Sequence, residues 1–97
     1  MIVQRDVFQV KQQNMMEVVE LVKQALEILN VADRSRVYTD FVGRQSTMAV
    51  EIEHENLAAF QSIYVEFVKN EALQPIFEKM GPLTAADGDR EIWHIHS

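Results

Sequence analysis

Apolar positions along this chain follow two rhythms, and the switch between them marks out the elements. Two runs rich in β-branched and aromatic residues, Arg36–Gly43 and Thr47–His54, flank the short polar stretch Arg44-Gln45-Ser46. That pattern predicts a β-hairpin, with Gly43 expected to take a positive φ at its turn. The second run alternates, with Met48, Val50 and Ile52 on one face and Ala49, Glu51 and Glu53 on the other. An earlier strand is expected over Ile2–Lys11. Its apolar residues Ile2, Val3, Val7, Phe8 and Val10 occupy both parities, so both faces should meet something other than water.

Helical spacing fills the intervals. Met15, Val18, Val19, Val22, Leu26 and Leu29 fit the i, i+3, i+4, i+7 template, with Glu20, Lys23, Gln24 and Glu27 on the wet side. Asn14 and Glu17 form an Asn version of the capping box at its start, and the helix should run to about Asn30. After the hairpin, Glu55-Asn56 signals a second start. Leu57, Phe60, Ile63, Tyr64, Phe67 and Val68 form its stripe, and Lys69-Asn70 is expected to stop it with Asn70 left-handed. A short helix over Ala72–Met80 accommodates Pro75 in its first turn, and Gly81-Pro82 ends it. Leu83–Asp89 reads as an irregular acidic loop and Arg90–His96 as the last strand. The order strand, helix, strand, strand, helix, strand predicts an α+β fold, a ferredoxin-like βαββαβ sandwich with a four-stranded antiparallel sheet. At 97 residues and 47% hydrophobic content, the expectation is one domain over 1–97.

Charge and composition narrow the partners. A net charge of −6, with no basic stripe, argues against nucleic acid and against an anionic membrane surface. No apolar run approaches the roughly 20 residues that span a bilayer, and the N-terminus lacks the form of an export signal. The chain has no cysteine, which removes disulfides and thiol chemistry and fits a cytoplasmic location. Val37 and Phe41 oppose Tyr38 and Val42 on the hairpin, and Ile92 opposes Trp93 and Ile95 on the last strand. A sheet apolar on both faces, covered by helices on one, predicts a homodimer.

Arg36-Val-Tyr-Thr-Asp-Phe-Val-Gly43, the alternating acidic strand after it and Arg90-Glu-Ile-Trp-His-Ile95 together resemble small proteins of the dimeric α+β barrel superfamily. The nearest branch is NIPSNAP-like, with antibiotic-biosynthesis-type monooxygenases more distant. The resemblance covers the whole chain and its motifs are structural. A Lys-Pro-Gly-type turn of such proteins is replaced here by Lys11-Gln12-Gln13. The resemblance implies two subunits packed sheet against sheet, with a small-molecule site in the space between them. From the residues of this chain, a pocket is expected between sheet and helices or at the barrel centre.

Candidate chemistry is sparse. Tyr38 and Asp40 share one face of the hairpin's first strand, and with Glu51 and Trp93 they supply the aromatic and ionisable groups expected near a ligand. Glu51 and Glu53 would form a carboxylate pair if buried, or pair with Arg5, Arg36 or Arg44 if not. His94 and His96 point the same way and form a metal half-site that His54 or Glu53 could complete. Two histidines without a third ligand make no centre, so no metal is expected. Trp93 and His94 point to opposite faces, against a shared haem site, and no cofactor is expected. Four of the five methionines, Met15, Met16, Met48 and Met80, fall at expected core positions, and the three glycines at turns or helix stops. Two functions remain: a non-catalytic ligand-binding or interaction dimer, or a cofactor-independent small-molecule enzyme of monooxygenase or isomerase type acting on an aromatic or quinone-type substrate. Fold analogy serves either. A cavity of several hundred Å³ with convergent polar groups would favour a site.

Overall fold

β1 (Ile2–Val10) is the strand that the others assemble around in the computed structural model, which describes residues 1–40 and 46–96 and leaves aside the side chains of Ala86 and Asp87. It pairs antiparallel with β3 (Thr47–His54) on one side and β4 (Thr84–His94) on the other. β2 (Ser35–Thr39) adds to the far edge of β3, giving the order β2-β3-β1-β4. Helices α1 (Met15–Ile28), α2 (Leu57–Lys69) and α3 (Gln74–Met80) complete the βαββαβ ferredoxin-like arrangement. Gly43 and the expected hairpin turn lie outside the described residues. Among the described residues no helix is long and apolar enough to cross a membrane.

The main core forms where α1 crosses β1 and β3. Met15, Val18, Val19, Val22 and Leu26 interlock with Val10, Met48, Val50 and Ile52, and Val31 closes the end. The periodicity understates α1, because Leu21 and Ala25 are buried too. They pack on Leu73 and Ile76 of the segment that carries α3, so the helix is apolar on two adjoining faces. Met16, expected inside, is exposed.

The ends of the helices differ from expectation. Asn14 makes no side-chain cap, because a 3₁₀ turn over Gln12–Asn14 leads into α1 and holds Asn14 in the helical region. At the other end Asn30 takes φ 59°, Val31 N–H donates to Leu26 O and Asn30 N–H to Glu27 O. These bonds make a Schellman stop. The left-handed Asn is therefore Asn30. Asn70, at φ −73°, instead accepts from the Ala72 amide and opens the next 3₁₀ turn. Asn56 caps α2 as its spacing predicts, accepting from the Ala59 amide at 2.9 Å.

Two larger corrections concern the second half. β4 begins at Thr84, so most of the segment read as an acidic loop is strand. A register shift between Phe8 and Val10 absorbs the extra residues. Gly88 is thus a strand glycine: a Cβ there would lie 3.2 Å from both Phe8 Cβ and Val7 O. The apolar stripe of α2 is also not a core stripe. No α2 residue is fully buried; Phe60, Ile63 and Phe67 are half-covered, while Leu57, Tyr64 and Val68 are exposed. The helix stands off the sheet, and the space beneath it is the cleft described next.

Candidate functional site: a cleft beneath the second helix

Even-numbered residues of β1 point toward the helices. Ile2 and Val10 are buried in that layer as expected, but Gln4 and Asp6 lie between them in sequence. Across the sheet Asp6 is flanked by Val50 and Arg90, and Gln4 by Ile52 and Ile92. A polar row therefore runs across the floor of an otherwise apolar layer. Above it opens a cleft of about 540 Å³. Val22, Ala25, Leu26 and Leu29 of α1 and its end form one wall. Phe60, Ile63, Tyr64 and Phe67 of α2 form the roof, and Phe77 and Met80 of α3 the far end.

The polar row is internally matched. Arg90 donates from Nε to Asp6 Oδ1 at 2.8 Å and from Nη2 to Asp6 Oδ2 at 3.2 Å. Gln4 Nε2 donates to the same Oδ2 at 3.0 Å. A carboxylate only accepts, so the Gln4 amide nitrogen must face Asp6 and its oxygen must face His54. The His54 ring, 3.0 Å away through Nε2, therefore carries its proton on Nε2. Its Nδ1 is buried with no hydrogen-bond partner among the described residues. His54 as a whole is only 2% exposed. Burial pushes its pKa below the ordinary 6.5, and the Arg34 charge adds to the effect. His54 is neutral at pH 7.

At the other end of the row, the hydrogen bond that Arg90 donates to Asp6 raises its already high pKa against the opposing effect of burial. Its guanidinium also lies 5.6 Å from the Tyr64 ring centre and 5.8 Å from that of Phe67, within cation–π range. Arg90 thus ties the edge strand to the roof helix. Edge contact between His54 and Phe60 at 5.6 Å and packing of Phe67 on Phe77 at 4.7 Å complete the attachment of α2.

Tyr38, Asp40, Glu51 and Trp93, the candidates read from sequence, belong to the opposite side of the sheet. Tyr38 Oη donates to Glu51 Oε1 at 2.9 Å, and Arg5 Nε stands 4.0 Å from Glu51 Oε2. Asp40 Oδ1 accepts from the Thr47 amide at 3.2 Å, beside the end of β2. Trp93 is on the far edge strand and donates to Glu91 Oε1 at 3.1 Å. The sheet brings Tyr38 and Glu51 together and keeps Trp93 apart from them. None of the four lines the cleft. His94 and His96 have ring centres 6.5 Å apart. No group of three side chains able to hold a metal gathers among the described residues.

Spacing and type alone did not single out the row of His54, Gln4, Asp6 and Arg90. Its signal was parity: a Gln and an Asp at positions that share a face with Ile2 and Val10.

These features define a ferredoxin-like α+β protein with a mostly apolar cleft between helices and sheet. Solved structures with this fold are a NIPSNAP family protein from Agrobacterium tumefaciens (TM-score 0.80, 12% identity, 96% of this chain and 90% of that one) and an uncharacterized NIPSNAP domain protein from Burkholderia xenovorans (0.77, 9%, 100% and 96%). An antibiotic biosynthesis monooxygenase matches at TM-score 0.71 and 12% identity over 100% of both chains. At such identities the likeness is one of fold. No family sequence model and no curated protein matches the chain.

Proposed function

We propose that this protein is a small-molecule-binding homodimer of the cytoplasm, without catalytic activity of its own, and that its ligand occupies the cleft beneath α2. The observation that carries this reading is the cleft, about 540 Å³ with aromatic walls and one polar row. Its size lies in the range usual for ligand sites. A cofactor-independent enzyme needs a group free to take a proton. Here the Asp6 carboxylate is occupied by three donors, and His54 is walled off behind Gln4. The arrangement favours holding a molecule over transforming one.

The dimer rests on the uncovered face of the sheet. Tyr38 and Trp93 are 42% and 55% exposed there, yet their polar tips are already bonded to Glu51 and Glu91. Their rings offer apolar area that a second copy would cover.

The cleft is tested with N-phenylnaphthylamine, an uncharged dye that brightens in apolar surroundings. The wild-type protein is expected to bind it, and Ile63→Trp, which puts an indole into the cleft from its roof, is expected to weaken binding at least tenfold while the melting temperature holds. Equal binding by the variant would remove the cleft as the site.

A further inference from the structure

We infer, resting on the cleft as the binding site, that Arg90 is its specificity-determining residue and that the ligand is an uncharged molecule presenting a hydrogen-bond acceptor of carbonyl type. A planar guanidinium has five donors in fixed directions. Side-on pairing with Asp6 uses Nε and one N–H of Nη2. Among the described residues the Nη1 end of the fork makes no hydrogen bond, and Arg90 lines the cleft. The row therefore has donors to spare.

Acceptors are not similarly spare. Asp6 Oδ1 takes one donor and Oδ2 two, and Gln4 Oε1 is taken by His54. A ligand donor would find only the single lone pairs that these bonds leave on Asp6 Oδ1 and Gln4 Oε1, whereas a ligand acceptor would meet N–H groups already held in place.

Charge decides between acceptors. The side chains of opposite sign that face the cleft are Asp6 and Arg90, already paired with each other; Asp89 pairs with Val7 and so turns to the other face of the sheet. An anion would bring its charge beside the Asp6 carboxylate, and the Arg90 charge that could offset it is already paired there. A cation would fit aromatic walls, but the Arg90 guanidinium already sits by Tyr64 and Phe67, where such a cation would go. A neutral carbonyl is left. His54 and Gln4 preserve this selectivity: a His54 proton fixed on Nε2 keeps the Gln4 oxygen turned away from Asp6, so the amide nitrogen holds Oδ2 and the carboxylate keeps Arg90 side-on.

The experiment is a competition series against bound N-phenylnaphthylamine, using four molecules of one shape. Benzophenone carries the carbonyl; geminal diphenylethylene replaces its oxygen with CH2; diphenylacetate is the anion; benzhydrylammonium is the cation. Benzophenone is expected to bind about tenfold more tightly than each of the others, the size of one hydrogen bond from a charged donor. The double variant Asp6→Asn with Arg90→Met removes the ion pair without leaving an unpaired charge, and should bring benzophenone and diphenylethylene within about threefold. Should that variant fail to fold, Arg90→Lys, which keeps the charge and loses the fork, should reduce the preference instead. Dye binding with no preference for the ketone, or with preference for the anion or cation, would overturn the assignment and leave the cleft standing. A ketone preference that survives loss of the guanidinium would also overturn it. No dye binding by the wild-type protein would take down the cleft reading, and this one with it.

Discussion

At the scale of single residues, His54 is held tightly, buried and bonded to Gln4. Its ring is buried, its Nδ1 unpartnered among the described residues, and its pKa lowered by desolvation. Because the folded value lies below the ordinary 6.5, the unfolded chain binds the proton more readily. Stability is then fully present above pH 6.5 and falls as pH drops from there toward the folded value, at no more than about 1.4 kcal/mol per pH unit for one proton. Urea unfolding at pH 7.5 and pH 5.5 should show the decline, and His54→Gln, which keeps an N–H for Gln4, should flatten it; parallel curves would place the acid sensitivity elsewhere. Nothing in the type of His54 announces this. What was readable is its parity, shared with Met48, Val50 and Ile52 on the alternating strand. Asp6 and Arg90 carried the same kind of signal, charges on positions that face the helices. Tyr38, Glu51 and Trp93 drew attention as chemical types, and types say nothing about which face a helix will cover.

At the scale of elements, legibility followed how much each relied on its own residues. α1, α3 and the strand Thr47–His54 were readable because their patterns match the surfaces they bury. β4 was not, since Thr84–Asp89 lacks β-branched alternation and is strand because β1 supplies the pairing. That pairing makes Gly88 sensitive. Gly88→Ala brings a methyl within 3.2 Å of Phe8 Cβ and Val7 O, and overpacking against backbone should destabilise by about 1–3 kcal/mol. A urea midpoint unchanged from wild type would show that β4 can shift to make room. Asn30 gives a second check on an element end: Asn30→Ala, at φ 59°, should lower stability by about 1 kcal/mol, because the left-handed region penalises a Cβ that has no polar atom to compensate. No loss of stability would mean the Schellman stop rests on its neighbours.

At the scale of the whole molecule, the sheet divides two roles between its faces. The helix side holds the cleft and the other holds the exposed aromatics, so the two should respond separately to substitution. Trp93→Glu puts a charge on the uncovered face and is expected to convert a sedimenting dimer into a monomer while dye binding is retained; a wild-type monomer at micromolar concentration would defeat the dimer. The antiparallel sandwich was legible from element order alone, whereas the cleft was not, because periodicity reports that a helix has an apolar stripe and not how closely it is seated. That loose seating of α2 has a further consequence. A helix held by a few aromatic contacts and one cation opens at far lower free energy than one buried on two sides. Amide hydrogens of Phe60–Phe67 should therefore exchange with deuterium well before those of Val18–Ala25, as a separate cooperative unit. Occupancy of the cleft should slow exchange in the first segment and leave the second unchanged, making α2 the part of the chain in which a bound molecule is registered.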